Sequence, residues 1–338
     1  MKKEQIEGTP EASKTTSSNG PTDEDQSTTE SKKRPLLKRS IPWILTVLCV
    51  GYLIWSSDFA VVKKTLTGVS IPDLLLVFTV ITAVTFVYDA YTIKLLFQRF
   101  HIKTTMNEAL AFKGASYILK VFNYNAAAAG IALFFRNQKG VSLLAGLSTV
   151  LWLNVVDVIV LATFILVSVL LPWAPLSQGM SNVLLLMSLG LWLLLLGNLL
   201  YWRAGWNFFF FGKMRTWSIF QTFQDAKVKD YFVFIGMRAI FVVFLILAYI
   251  WMLPLFGIHI PTGRLIYYVP VMLFIGAIPL TNLAGLGTVQ IVMREFFEPF
   301  TSMGASQVDA FSTTFLLGFL VFRLVIGLFY IRRVSFTL

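Results

Sequence analysis

Asp157 stands in the middle of an apolar run, Val141–Leu171, with Asn154 one turn before it. A carboxylate at that depth in hydrocarbon costs about 2.5–3.5 kcal/mol on insertion scales, so it must turn inward and find a partner. Arg238 and Arg323, each a few turns from the end of its own apolar run, are the cations on offer. Such a set binds a charged group or passes a proton; its plainer reading is a structural ion pair, with Arg323 extending its head to the interface. Asp89, between Tyr88 and Tyr91, is a lesser member. Lys113 and Lys120 share one helical face and either meet anionic headgroups or rest at the interface.

Two short segments suit anion binding. Asn125-Ala-Ala-Ala-Ala-Gly130 and Asn282-Leu-Ala-Gly-Leu-Gly287 interrupt apolar stretches with small residues. Such residues let the backbone turn and approach closely, and the free N–H groups of a half-helix attract phosphate. Asn125, Gly130, Asn282, Gly285 and Gly287 are therefore expected at a substrate site with Asp157, Arg238 and Arg323. The competing reading is tight helix packing through Ala and Gly. After each segment comes the same spacing, G-x-S-x5-S-T: Gly140, Ser142, Ser148 and Thr149, then Gly304, Ser306, Ser312 and Thr313. A unit repeated within a membrane chain is a mark of transporters that rock two related halves.

These residues need elements to hold them, and composition says which. Hydrophobic residues are 57% of the 338 and charged residues 13%, against about 25% charged in soluble domains. Several runs reach the roughly 20 helical residues that cross a bilayer. The expected fold is an all-α polytopic membrane protein: an inverted repeat of two halves with about six full crossings and two re-entrant broken hairpins. Crossings are expected at Ile41–Ser57, Pro72–Phe97, Val141–Leu171, Asn182–Trp202, Asp230–Leu253 and Gln307–Ile331, with the broken stretches at Asn107–Phe135 and Leu265–Phe300. Residues 1–40 read as a disordered cytoplasmic tail, 41–171 as the first repeat, 172–181 as an extracytoplasmic linker and 182–338 as the second repeat. In that arrangement Lys and Arg crowd the loops on the side of both termini, while Lys63, Lys64, Arg264 and Arg294 lie opposite. The bias places both termini in the cytoplasm of a cell membrane. Full crossings in place of each hairpin would keep the same parity. The connector Trp206–Lys213 reads as an interfacial anchor, and Arg294, Glu295 and Glu298 as a local surface pairing.

Other chemistry is unsupported. The only cysteine is Cys49 and the histidines are His101 and His259, so a Cys/His metal site is not expected. There is no G-x-x-x-x-G-K-[ST], H-E-x-x-H or G-x-S-x-G, and no cofactor is implied. The basic charge follows the membrane faces, which accounts for it without nucleic acid.

The stretch Ile278-Pro279 through Ala284-Gly285-Leu286-Gly287-Thr288-Val289-Gln290, followed by a helix carrying Arg323, resembles the second-half motif of the lysylphosphatidylglycerol synthase transmembrane (flippase-like) family. Asn123–Gly130, Arg136, Gly140 and Asp157 stand as its first-half counterpart, and the likeness covers about residues 41–333. Gln290 occupies the place of a usual Glu, so the resemblance implies that it joins the substrate site, and the first hairpin lacks the usual Pro. The resemblance implies an inverted-repeat membrane domain that moves a phospholipid or lipid-linked group between leaflets, with anionic or aminoacylated phospholipid as partner. It carries no aminoacyltransferase part, so lipid lysylation is not expected of it. The alternatives are an intramembrane transferase using a polyprenyl-phosphate donor and a non-catalytic partner of a separate lipid-modifying synthase.

Overall fold

A computed structural model describes residues 55, 58–122, 124–171, 178–204, 209–277 and 287–331. The expected tail, the first crossing apart from Trp55, residues 172–177 of the expected linker and the apex of the second broken stretch lie outside the described residues; the linker's last four residues, 178–181, are helical instead and open the next long helix. Among the described residues the protein is all helical, with five helices long and apolar enough to span a membrane. This is the polytopic all-α architecture that the composition demands.

The helices are α1 (Phe59–Gly68), α2 (Ile71–Phe100), α3 (Met106–Phe122), α4 (Tyr124–Lys139), α5 (Leu143–Leu170), α6 (Gln178–Arg203), α7 (Phe209–Met214), α8 (Gln221–Asp225), α9 (Val228–Met252), α10 (Thr262–Ala277), α11 (Thr288–Phe297) and α12 (Ala305–Ile331). Their ends follow local chemistry. Asp58 caps α1 by accepting from the N–H groups of Ala60 and Val61. Thr105 and Glu108 form a reciprocal capping box at the start of α3, each satisfying a backbone donor the first turn leaves open. Both glycines of the repeated motif are left-handed, Gly140 at φ 69° and Gly304 at φ 72°, a conformation that side chains resist. After the first, Ser142 caps α5 through the Ala145 N–H. After the second, Ser306 instead accepts from the Asp58 N–H at 2.8 Å.

Side-chain contacts set the helix directions. Arg99 bonds Asp230 while Asp89 bonds Arg238, so α2 and α9 run antiparallel. Trp152 packs on Tyr231 and Phe234 while Asp157 bonds Arg238, so α5 runs parallel to α9. Phe78 meets Phe319 and Phe86 meets Tyr330, so α12 runs with α2. Consequently α2 ends, and α5 and α9 begin, at one face, called here the His101 face. At the opposite, Pro254 face, α9 ends and α12 begins, tied by Gln307 donating to the Phe256 carbonyl at 2.7 Å.

The two broken stretches open from opposite faces. Lys139 and Glu108, 2.6 Å apart, close the base of the α3–α4 hairpin at the His101 face. Arg264 over the Phe300 ring, at 4.8 Å, does so for α10–α11 at the Pro254 face. At about 1.5 Å per residue, α3 and α4 reach roughly 25 Å and α11 only about 15 Å, short of a hydrocarbon core of about 30 Å. α3 packs on α12 and α10 packs on α5, so the first limb of each hairpin rests on the long helix that follows the other. α5 lies inside this set, whereas α6 stands at its edge with most of its apolar surface outward.

Candidate functional site

Four helices bring four charges together. Arg238 of α9 donates from Nη1 to Asp89 of α2 at 2.9 Å and from Nη2 to Asp157 of α5 at 3.1 Å, with its Nε also bonded to Asp157. Lys113 of α3 binds the other oxygen of Asp89. The chain Lys113–Asp89–Arg238–Asp157 thus alternates in sign and sums to zero. Asp157 lies about 20 Å along α5 from either end, at 1.5 Å per residue. Hydrocarbon penalises isolated charges there, so pairing and neutrality are what make the cluster tolerable. Phe241 covers the guanidinium at 4.3 Å, and Tyr88 donates to the Met237 carbonyl at 3.0 Å, fixing α2 against the turn that carries Arg238. Asp157 has its expected partner in Arg238.

Arg323 has another place. It lies over the rings of Tyr117 and Phe319, at 5.8 and 5.6 Å, and Lys113 approaches the same Tyr117 ring at 5.5 Å. Arg323 therefore joins the cluster's rim through an aromatic ring. Asp89, only a lesser candidate in the sequence, and Lys113, read there as a headgroup or interface contact, are two of its four charges. The signal available in the sequence was the same one that marked Asp157: an ionisable residue inside an apolar helix.

The small-residue segments separate. Asn125 is the second residue of α4, and its side chain lies outside the described residues, as do Asn282 and Gly285. Gly130 is buried against Leu119 of α3, and a Cβ would collide with that side chain; here the packing reading explains the residue. Gly287 is the N-cap of α11 at φ 93°. Its N–H donates to Gln290 Oε1 at 3.2 Å, and Gln290 Nε2 donates to Thr313 at 3.1 Å. Gln290 thus joins the start of α11 to the hydroxyl of the second repeated motif. Arg294 reaches Asp309 of α12, 3.8 Å away, a link between elements where the sequence reading had only a local pairing.

The first motif's hydroxyls have a different task. Ser148 accepts from the Thr222 N–H at 3.0 Å. Thr149 lies 2.8 Å from the Thr222 hydroxyl and 2.6 Å from His101 Nε2, and donates to the Ala145 carbonyl. This knot ties the end of α2 and the connector helix α8 to the base of α5, and no sequence pattern pointed to it. Burial holds the His101 imidazole below its ordinary range, against the upward pull of the Ala145 carbonyl and Asp225. An unfolded histidine takes up its proton near pH 6.5, so between that pH and the lower folded value the unfolded chain binds more protons. Stability is then complete above about pH 6.5 and falls as the pH drops further. The unfolding midpoint of the wild type should decline on acidification from pH 7 to 5.5, and that of His101→Gln should decline less; equal slopes would refute the assignment.

The chain matches no protein-family model and no curated protein.

Proposed function

We propose that this protein is a flippase-like lipid transporter of the lysylphosphatidylglycerol synthase transmembrane type, in which an anionic phospholipid headgroup crosses between two inverted halves. The observation that carries the reading is the neutral Lys113–Asp89–Arg238–Asp157 network, buried at mid-depth where α2 and α3 of one half meet α9 of the other. Charge inside a bilayer is retained where something charged must pass. Arg238 is the group that would receive a phosphate, and the acyl chains would stay in lipid so that only the headgroup is desolvated.

The inverted relation is supported by three features: the antiparallel α2 and α9, hairpin bases at opposite faces, and left-handed glycines at equivalent places before α5 and α12. Two inverted copies around a midplane site are the construction of many secondary transporters. In this reading the His101 face is cytoplasmic, because Arg99, Lys103, Arg136, Lys139, Arg203, Lys213, Arg215, Lys227 and Lys229 belong to it while Lys63, Lys64, Arg264 and Arg294 belong to the other, in line with the positive-inside rule.

The test is a leaflet-resolved assay in vesicles holding the purified chain, with acyl-tagged phosphatidylglycerol. Movement should exceed that of protein-free vesicles and fall at least tenfold in Arg238→Gln. A wild type no faster than empty vesicles, for both anionic and aminoacylated lipid, would overturn the reading.

A further inference from the structure

We infer that movement of the anionic group is coupled to a proton carried on Asp157, an inference that rests on the transporter reading above and adds its energy source. The premise is charge arithmetic in a low-dielectric site. Two cations and two carboxylates cancel as the network stands. An incoming phosphate oxyanion that took Arg238 would leave the buried set one negative charge in excess, and an unbalanced charge at that depth is costly. Uptake of one proton by a carboxylate restores neutrality.

Geometry selects the carboxylate. Asp89 is held from two sides, by Lys113 and Arg238, and its side chain is 9% exposed. In the ion pairs of the cluster Asp157 is held by Arg238 alone, and its side chain is 23% exposed. Of the two, Asp157 is the less enclosed, and the one left without a cation in the cluster's ion pairs once an oxyanion takes the guanidinium. The charged groups acting on it are Arg238 on α9, Asp89 on α2 and Lys113 on α3. Arg323 of α12 lies beyond them, over Tyr117. The charges of the other elements packed on α5 stand at helix ends: Arg136 and Lys139 on α4, Arg203 on α6, Asp225 on α8 and Arg264 on α10. The step balances simply. One O–H bond forms on Asp157 as the ion pair to Arg238 opens and the oxyanion takes the guanidinium; on the far side the anion leaves, the proton departs, and the pair closes again.

Asp157→Asn is the mimic of the protonated state, since it keeps size and hydrogen bonding but leaves the set one positive charge in excess until an anion enters. The experiment uses the full chain in phosphatidylcholine vesicles with an internal pH dye and an imposed pH gradient. One arm follows acyl-tagged phosphatidylglycerol and the other inorganic phosphate, which separates a lipid headgroup from a free anion of the same chemistry. In the wild type, accumulation driven by the gradient should change by up to about tenfold per pH unit, the limit for one coupled proton, with proton entry in parallel. Asp157→Asn should lose both the gradient dependence and the proton flux, whatever its rate of anion movement, and Asp157→Glu should regain them. Should Asp157→Asn fail to fold, the wild type in detergent answers the same question, because binding phosphatidylglycerol should take up about one proton per headgroup from unbuffered solution. Lipid movement that ignores the gradient and brings no proton overturns the coupling while leaving the transporter reading intact. Coupled phosphate movement without lipid movement supports the coupling and removes lipid as the cargo. A wild type that moves neither overturns both.

Discussion

Arg238→Ala is expected to destabilise the folded protein by about 3–5 kcal/mol, the range for removing one partner of a buried ion pair. The loss has two sources. Asp157 gives up the guanidinium that bonds both its oxygens, and Asp89 loses its bond from the same group while keeping Lys113. The buried set then carries a net negative charge. Adding Asp157→Asn to Arg238→Ala removes that excess and leaves the neutral Lys113–Asp89 pair, so the double variant should be more stable than Arg238→Ala alone. Neighbours that share one network are expected to be non-additive in this way. Thermal unfolding midpoints in detergent decide it. A double variant whose loss is the plain sum of the two single losses would mean that the four charges do not act as one unit.

Gly327→Leu should destabilise by about 1–3 kcal/mol, the usual range for overpacking a close-packed contact. Gly327 of α12 faces α3 so closely that a Cβ would lie 3.2 Å from the Ile118 backbone nitrogen and 3.4 Å from the Gly114 carbonyl oxygen. Backbone atoms cannot swing aside as a side chain can. Gly114 on the facing helix is equally confined, since a Cβ there would meet the Tyr330 ring at 2.6 to 2.8 Å. The loss should appear as a lower unfolding midpoint together with faster proteolysis of the α3–α4 hairpin, which α12 supports. Gly197→Ala on α6 is the control: nothing lies within 4 Å of its Cβ position, so the change should be neutral or stabilise by about 0.5–1 kcal/mol. Equal destabilisation at both sites would show that α3 and α12 do not depend on close backbone approach.

The sequence made parts of the site plain and left others dark for the same reason. Asp157 announced itself because a carboxylate within thirty apolar residues has few explanations, and Arg238 followed as one of two cations able to meet it. Choosing between Arg238 and Arg323 required knowing that α9 lies against α5 while Arg323 points at Tyr117. Asp89 was visible as a lesser candidate and Lys113 as a charge, but their pairing was not, because residues 24 and 125–149 positions apart become neighbours only when four helices pack. Gly130 looked like a ligand-binding turn, and its tight fit against Leu119 shows it serving the hairpin's packing. Thr149 stood out only as part of the repeated G-x-S-x5-S-T motif, and nothing in that spacing pointed to His101 or Thr222 as its partners.

What the chain determined by itself is its solvent and its elements: apolar runs of sufficient length must be helices in a bilayer, since every backbone group has to be satisfied within the segment. The charges that interrupt otherwise apolar helices were equally local facts, whereas Asn125–Gly130, which read as an interruption, is continuous helix within α4. Only the tertiary structure decided which charges pair and which glycines serve contact. Those outcomes depend on helix direction and rotation, and no local pattern encodes the rotation that turns Asp89 and Asp157 toward the same guanidinium.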